Sequence, residues 1–179
     1  MTQPITIHAG NPHYFAFNDQ PAVLLASAEH YGAVLNAAFD YKAYLGELKE
    51  CGNNLTRVFA GIYREEPGVF YLKYNTLAPL PVDFLCPFRR SEVPGASDGL
   101  NKFDLDAWDS RFFERLGAFM QEAASQDIVV ELAFFCPFYR ESQGDRLWNL
   151  SPFHPDNNVN GVGSAGCEAV FVWKDEKFV

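Results

Sequence analysis

Apolar and polar positions change period several times along the chain, and each change marks an element. Pro4–His8 and His13–Phe17 are short runs rich in aromatic and β-branched residues, which predicts a small N-terminal β-hairpin. Asn18-Asp19-Gln20-Pro21 then turns the chain into Ala22–Ser27, a run with no polar alternation. Such a run is expected of a strand buried on both faces of a parallel sheet. Tyr41, Tyr44, Leu45 and Leu48 recur at helical spacing behind Asp40, a good N-cap, and Gly52 stands where a helix C′ residue is expected. Asn54–Phe59 is strand-like again, so this stretch reads as a βαβ unit.

From Gly61 to Asp106 no period is sustained, and the stretch reads as one long loop holding five prolines and seven aromatic residues. A second helix is predicted behind Asp106, with Asp109 three residues on. Its apolar stripe is Phe112, Leu116, Phe119, Met120 and Ala123. Ile128–Phe135 reads as the third strand of the βα series. A second long loop covers about 136–170, and Lys174–Val179 looks like the opening turn of a further helix. The long loops follow strands while the helix-to-strand connections are short. In parallel α/β architectures, barrel or doubly wound, that is the side where sites are built. The whole, residues 1–179, reads as a single α/β domain.

Composition narrows the function classes. Hydrophobic residues are 48% of the chain, enough for a sizeable core, and 28 residues are aromatic, with 17 Phe, 8 Tyr and 3 Trp. The net charge of −9 repels a nucleic-acid backbone and an anionic membrane surface, so neither is expected as a partner. No apolar window is long enough to span a bilayer, and MTQPITIHAGNPHY has neither a basic n-region nor an apolar h-region, which predicts a cytoplasmic protein. Cys51, Cys86, Cys136 and Cys167 form no C-x-x-C pair, so four buried thiols are expected in preference to two disulfides. The four histidines have no metal-ligand spacing, the nucleotide and hydrolase motifs are missing, and no cofactor is expected.

Candidate binding residues lie at strand ends and in the loops. Arg57, near the end of the second strand, could hold a carboxylate through its rigid fork, or pair with Glu131 on the third strand. Glu131 in mid-strand is expected to be buried and paired. Glu29 and His30 close the first strand, where a histidine could bond a substrate hydroxyl. Tyr139 and Trp148 offer rings on which a sugar could stack, and Trp148 is the best platform candidate. Asn158 and Asn160, with Asn157, offer amides that suit either sugar recognition or tight turns.

Several spaced blocks occur in order: NPHYFAFNDQPAVLLASAEHYGAVL, GNNLTRVF, NTLAPLP, NKFDLDAWD, VVELAFFCPFY and NNVNGVG. Together they run through nearly the whole chain, and the sequence resembles bacterial cellulase-type glycoside hydrolases, relatives of family 5 in the clan of retaining (β/α)8-barrel enzymes. The resemblance implies a partial barrel: the first three βα units, preceded by the hairpin. Arg57 matches the family's arginine near the end of the second strand. The histidine common at the end of the third strand is unmatched, since Phe134-Phe135-Cys136 stand there. The family's catalytic carboxylates follow the fourth and seventh strands, beyond Val179. The chain is therefore expected to contribute substrate-binding loops for a β-linked oligosaccharide or polysaccharide. The alternatives are a noncatalytic carbohydrate-binding protein and a barrel fragment that self-associates through its open edge. Because retaining hydrolysis needs two carboxyl groups ~5–5.5 Å apart, the isolated chain is expected to show no turnover of aryl β-glycosides. Hydrolysis that disappears in Glu29→Gln would place the chemistry within these residues.

Overall fold

Two parallel strands organise the middle of the molecule, seen in a computed structural model that describes residues 4–27, 31–66, 68–134, 136 and 144–171. Around them are further small sheets and helices, and among the described residues no sheet is closed. The N-terminal strands β1 (Thr6–Ile7), β2 (Phe15–Phe17) and β3 (Gln20–Ala22) form an antiparallel sheet in the order β1-β2-β3. The expected hairpin thus carries a third strand. Asn18 and Asp19 alone make the turn, both with positive φ (50° and 59°), as a two-residue hairpin loop requires. Pro21 is tolerated because β3 lies at the sheet edge, where a missing donor costs least.

The apolar run that follows is not a strand buried on both faces. Val23 and Leu25 are 59% and 54% exposed, and the segment touches the next sheet through one parallel bridge, Ala26 to Leu55. The side chain of Asn54 replaces a ladder there: its Oδ1 accepts from Leu25 N–H and its Nδ2 donates to the Val23 carbonyl. The apolar face stays open because no described layer packs over it.

A short helix α1 (Gly32–Leu35), not foreseen from periodicity, is buried throughout. Helix α2 (Tyr41–Glu50) begins as expected, with the Asp40 carboxylate accepting from the N–H groups of Lys42 and Ala43. It ends on Gly52 in the left-handed region (φ 76°). Gly52 N–H donates to the Lys49 carbonyl and Asn53 N–H to that of Leu48, so two of the terminal carbonyls are met. Strand β4 (Leu55–Phe59) turns Thr56 and Val58 inward, both fully buried, and Thr56 is satisfied by the Tyr44 hydroxyl at 2.7 Å.

The stretch expected as one loop holds an antiparallel hairpin, β5 (Phe88–Pro94) and β6 (Asn101–Trp108). Register shifts between Phe88 and Arg89, and between Arg90 and Pro94, break the period-two pattern, which hides these strands from the sequence. Since β6 runs on to Trp108, the following helix starts three residues later than expected. α3 (Ser110–Ser125) is capped by Asp109, not Asp106, with the Asp109 carboxylate accepting from Arg111 N–H. The apolar stripe is otherwise as read: Phe112, Phe119 and Ala123 are buried, at about 1.5–3 kcal/mol for each phenylalanine, whereas Met120 is 38% exposed. Arg115 of α3 holds the turn between α1 and α2 by donating to the carbonyls of Ala33, Ala37 and Phe39.

Strand β7 (Val129–Ala133) pairs with β4 in parallel, Leu55 opposite Val129 through Phe59 opposite Ala133. The second long loop contains two short helices, α4 (Arg146–Asn149) and α5 (Cys167–Phe171), while the helical turn read in Lys174–Val179 lies outside the described residues. None of the four cysteines forms a disulfide. Cys86 and Cys167 are buried, Cys136 is half-buried and Cys51 is exposed, which corrects the expectation of four buried thiols. Among the described residues no helix is long and apolar enough to cross a membrane.

The hairpin is fastened by a buried ionic cluster. Asp98 accepts from Arg64 at 2.7 Å and from both terminal nitrogens of Arg90, and the side chains of Arg64 and Asp98 are each 5% exposed. The Arg90 guanidinium also lies over Phe103, 3.7 Å from the ring centre. Burial by itself would raise the pKa of Asp98, but the hydrogen bonds from Arg90 and Arg64 outweigh it and hold the carboxyl below the usual range. The stabilisation is therefore complete above about pH 4, the unfolded value, and is lost as pH falls through the lower folded value. Asp98→Ala leaves two guanidinium groups without their partner. It is expected to cost about 3–5 kcal/mol in urea unfolding at neutral pH, with the gap to wild type narrowing at acid pH.

Candidate functional site

Chemistry-bearing side chains gather at the C-terminal ends of β4 and β7. The chain leaves β4 through Ala60, whose N–H donates to the Ala133 carbonyl. Gly61 comes next, where any Cβ would collide with the Phe134 carbonyl oxygen. Glycine is required because the two strand ends approach so closely. Just above this point lies a pocket of about 210 Å³, walled by Phe59, Tyr63, Phe88, Trp108, Phe134 and Phe153 among others. Trp108 is 66% exposed and Phe134 64% exposed. Trp108 stacks on Phe88 at 5.7 Å with an interplanar angle of 19°, and Phe113 braces it edge-on at 5.8 Å. One indole is thus locked by two rings while keeping much of its surface open.

Phe59 and Tyr63, edge-to-face at 5.4 Å, also wall a second pocket of about 400 Å³. Its polar corner is Glu65, 7% exposed. Oε1 accepts from the Tyr63 hydroxyl at 2.6 Å, and Oε2 accepts from Asn75 Nδ2 at 2.7 Å and from the Tyr31 hydroxyl at 3.3 Å. Burial, followed by the bond to Glu65, pushes the Tyr63 hydroxyl far above the ordinary tyrosine range, so it remains a donor. Phe70 walls this pocket, and it and the next residue, Tyr71, are consecutive non-glycine residues with positive φ (53° and 62°), a conformation that costs about 1–2 kcal/mol per residue. Tyr71 and Tyr74 beside it are 94% and 91% exposed.

Arg57 lies below this site on β4. It faces Glu131 across the parallel pair and bonds it at 2.8 Å. By strand alternation the two share a sheet face with Phe59 and Ala133, which line the first pocket. Glu131 is paired as expected but not buried: both side chains are about half exposed. Trp148 is 6% exposed and packs within the loop, its ring 5.4 Å from that of His154. The Asn158 amide is used within its own loop, donating to the carbonyls of Pro152, His154 and Val162 and accepting from Val162 N–H. Asn160 accepts from Leu105 N–H and donates to Asp106, tying that loop to β6. Glu29, His30 and Tyr139 lie outside the described residues.

Trp108, Phe134 and Glu65 were not singled out from sequence. Trp108 was hidden by placing the helix start at Asp106, and Glu65 by its position inside the stretch read as a loop. The alternation of DLDAW, with Trp108 on a strand end, was the available signal for the first. Among the described residues no group of three or more His, Cys, Asp or Glu side chains could hold a metal ion.

No protein-family profile matches the sequence, and no curated protein matches it. Among solved structures, the chain is similar to a protein of Bacteroides vulgatus ATCC 8482 named as a candidate glycoside hydrolase. The identity is 17% and the TM-score 0.49, over 73% of this chain and 24% of that one. The chain thus spans about a quarter of that protein's length.

The half-exposed Arg57–Glu131 pair is open to water, and such pairs are worth at most about 1 kcal/mol. Arg57→Gln and Glu131→Gln are each expected to shift urea stability by less than that. A larger loss would mark the pair as a structural anchor.

Proposed function

We propose that the chain forms the substrate-binding part of a retaining, (β/α)8-type glycoside hydrolase acting on β-linked glycans. The observation that carries this reading is the aromatic cleft at the C-terminal ends of β4 and β7, with Trp108 stacked on Phe88 and left open to solvent. A pyranose ring has an apolar C–H face and a polar hydroxyl edge. The indole of Trp108 fits the first, since a ring held rigid by its neighbours loses little entropy on stacking. The sequence resemblance points the same way, and under it the catalytic carboxylates belong to the fourth and seventh strands. Within these 179 residues the reading therefore assigns binding, with Arg57 below the cleft in the position of the family's arginine.

Calorimetric titration of the chain with cello-, xylo- and mannohexaose tests the reading. At least one hexaose is expected to bind, and Trp108→Ala is expected to weaken it about tenfold, as loss of a stacking platform of about 1–1.5 kcal/mol implies. Absence of heat with all three, or unchanged affinity in Trp108→Ala, would rule the reading out.

A further inference from the structure

Glu65 stands apart from the other buried acidic groups. Asp98 is neutralised by two arginines, whereas the partners of Glu65 are all neutral donors: Tyr31, Tyr63 and Asn75. A carboxylate offers about four acceptor positions. Oε2 uses two, and Oε1 uses one, on Tyr63. The remaining position belongs to a side chain that lines two neighbouring pockets at once, the one of about 400 Å³ behind Phe59 and Tyr63 and another of about 630 Å³ rimmed by Tyr74 and Lys73. Asn75, which orients Glu65, is itself fixed because its Oδ1 accepts from Leu77 N–H. Among the described residues, the carboxylate is thus held in place with one acceptor left over.

We infer that this pocket is a second sugar subsite, in which a ring of a neutral β-linked oligosaccharide donates one hydroxyl hydrogen to Oε1 of Glu65. The inference rests on the carbohydrate reading of the Trp108 cleft and extends it, since Phe59 and Tyr63 wall both pockets and one oligosaccharide can occupy the two in succession. A hydroxyl fits better than an ammonium group: it brings one donor to one vacant acceptor, whereas an ammonium brings three. Apolar walls from Phe70 and Leu72 suit the C–H face of the same ring. Phe70, at positive φ like its neighbour Tyr71, belongs to this wall, and Tyr74 stands exposed on the rim of the adjoining pocket that Glu65 also lines. Such strain, kept at a binding edge, is what a positioned ligand contact accounts for.

The experiment titrates cello-, xylo- and mannohexaose into the wild-type chain and into Glu65→Gln, Leu72→Ala and Trp108→Ala, with near-ultraviolet circular dichroism to check folding. Glu65→Gln is expected to weaken the bound hexaose about tenfold or more, as for loss of a hydrogen bond to a charged group. Leu72→Ala, which trims a half-exposed wall of the pocket and leaves the core intact, is expected to weaken it about threefold. Unchanged affinity in folded Glu65→Gln overturns the subsite. If that variant does not fold, unchanged affinity in Leu72→Ala overturns it instead. Loss of binding in Trp108→Ala alone removes the subsite and leaves the cleft standing, whereas no binding by the wild-type chain overturns both.

Discussion

Parallel pairing of β4 with β7 is the constraint from which the rest of the structure follows. Two parallel neighbours cannot be joined by a tight turn, so the chain between Phe59 and Val129 must leave one strand at its C-terminal end and return to the start of the other. Helix α3 makes the return, covering the sheet with Phe112, Phe119 and Ala123. Everything between Gly61 and α3 then has to be accommodated at the C-terminal edge. Both pockets, the aromatic wall and the buried Glu65 are consequences of that placement. A change that spoiled the pairing, such as a side chain at Gly61, would disturb the strand ends and the cleft together.

An insertion of this length is held by polar groups as well as by buried side chains such as Val69, Phe84, Leu85 and Phe103. The Asp98 cluster fixes the β5–β6 hairpin from within. From outside, the segment around Asn157–Asn160 runs beside β6: Phe103 N–H donates to the Asn157 carbonyl and Val159 N–H to that of Phe103. Asn157 adds a bond from Ser97 N–H and donates to the carbonyls of Asn149 and Ser151. Buried amides with full sets of partners are costly to disturb, because removing one leaves several groups unsatisfied. These asparagines therefore hold the scaffold that presents Trp108, one step removed from any ligand.

What could be read from the sequence follows from the range of the signals. Helices α2 and α3 were legible because caps and apolar stripes are local, and Asp40, Gly52, Phe112 and Phe119 behave as local rules require. The core of β4 and β7 was legible for a similar reason. The β5–β6 hairpin was not, since its irregular register breaks the alternation that would announce it. The open face of Val23 and Leu25 was not legible either: an apolar run states that burial is affordable, while the number of covering layers is a tertiary fact. Trp148 and Trp108 show the same limit in opposite senses. Both sit among polar residues, yet one is enclosed by its loop and the other stands at the end of a strand.

The position of Trp108 explains why the exposed ring is this one. It pairs in register with Phe88, so the two aromatic side chains lie across the hairpin from each other and stack. The next residue, Asp109, is the cap of α3 and is bound to Arg111 by charged hydrogen bonds, which hold its carboxyl below the usual range. The backbone on the C-terminal side of the indole is thereby anchored at a helix start, and the ring itself is braced by Phe88 and Phe113. A stacking platform must be rigid before the ligand arrives, or ordering it consumes the gain from contact. Trp108 meets that condition because the strand end, the helix cap and the aromatic pair all constrain the same residue.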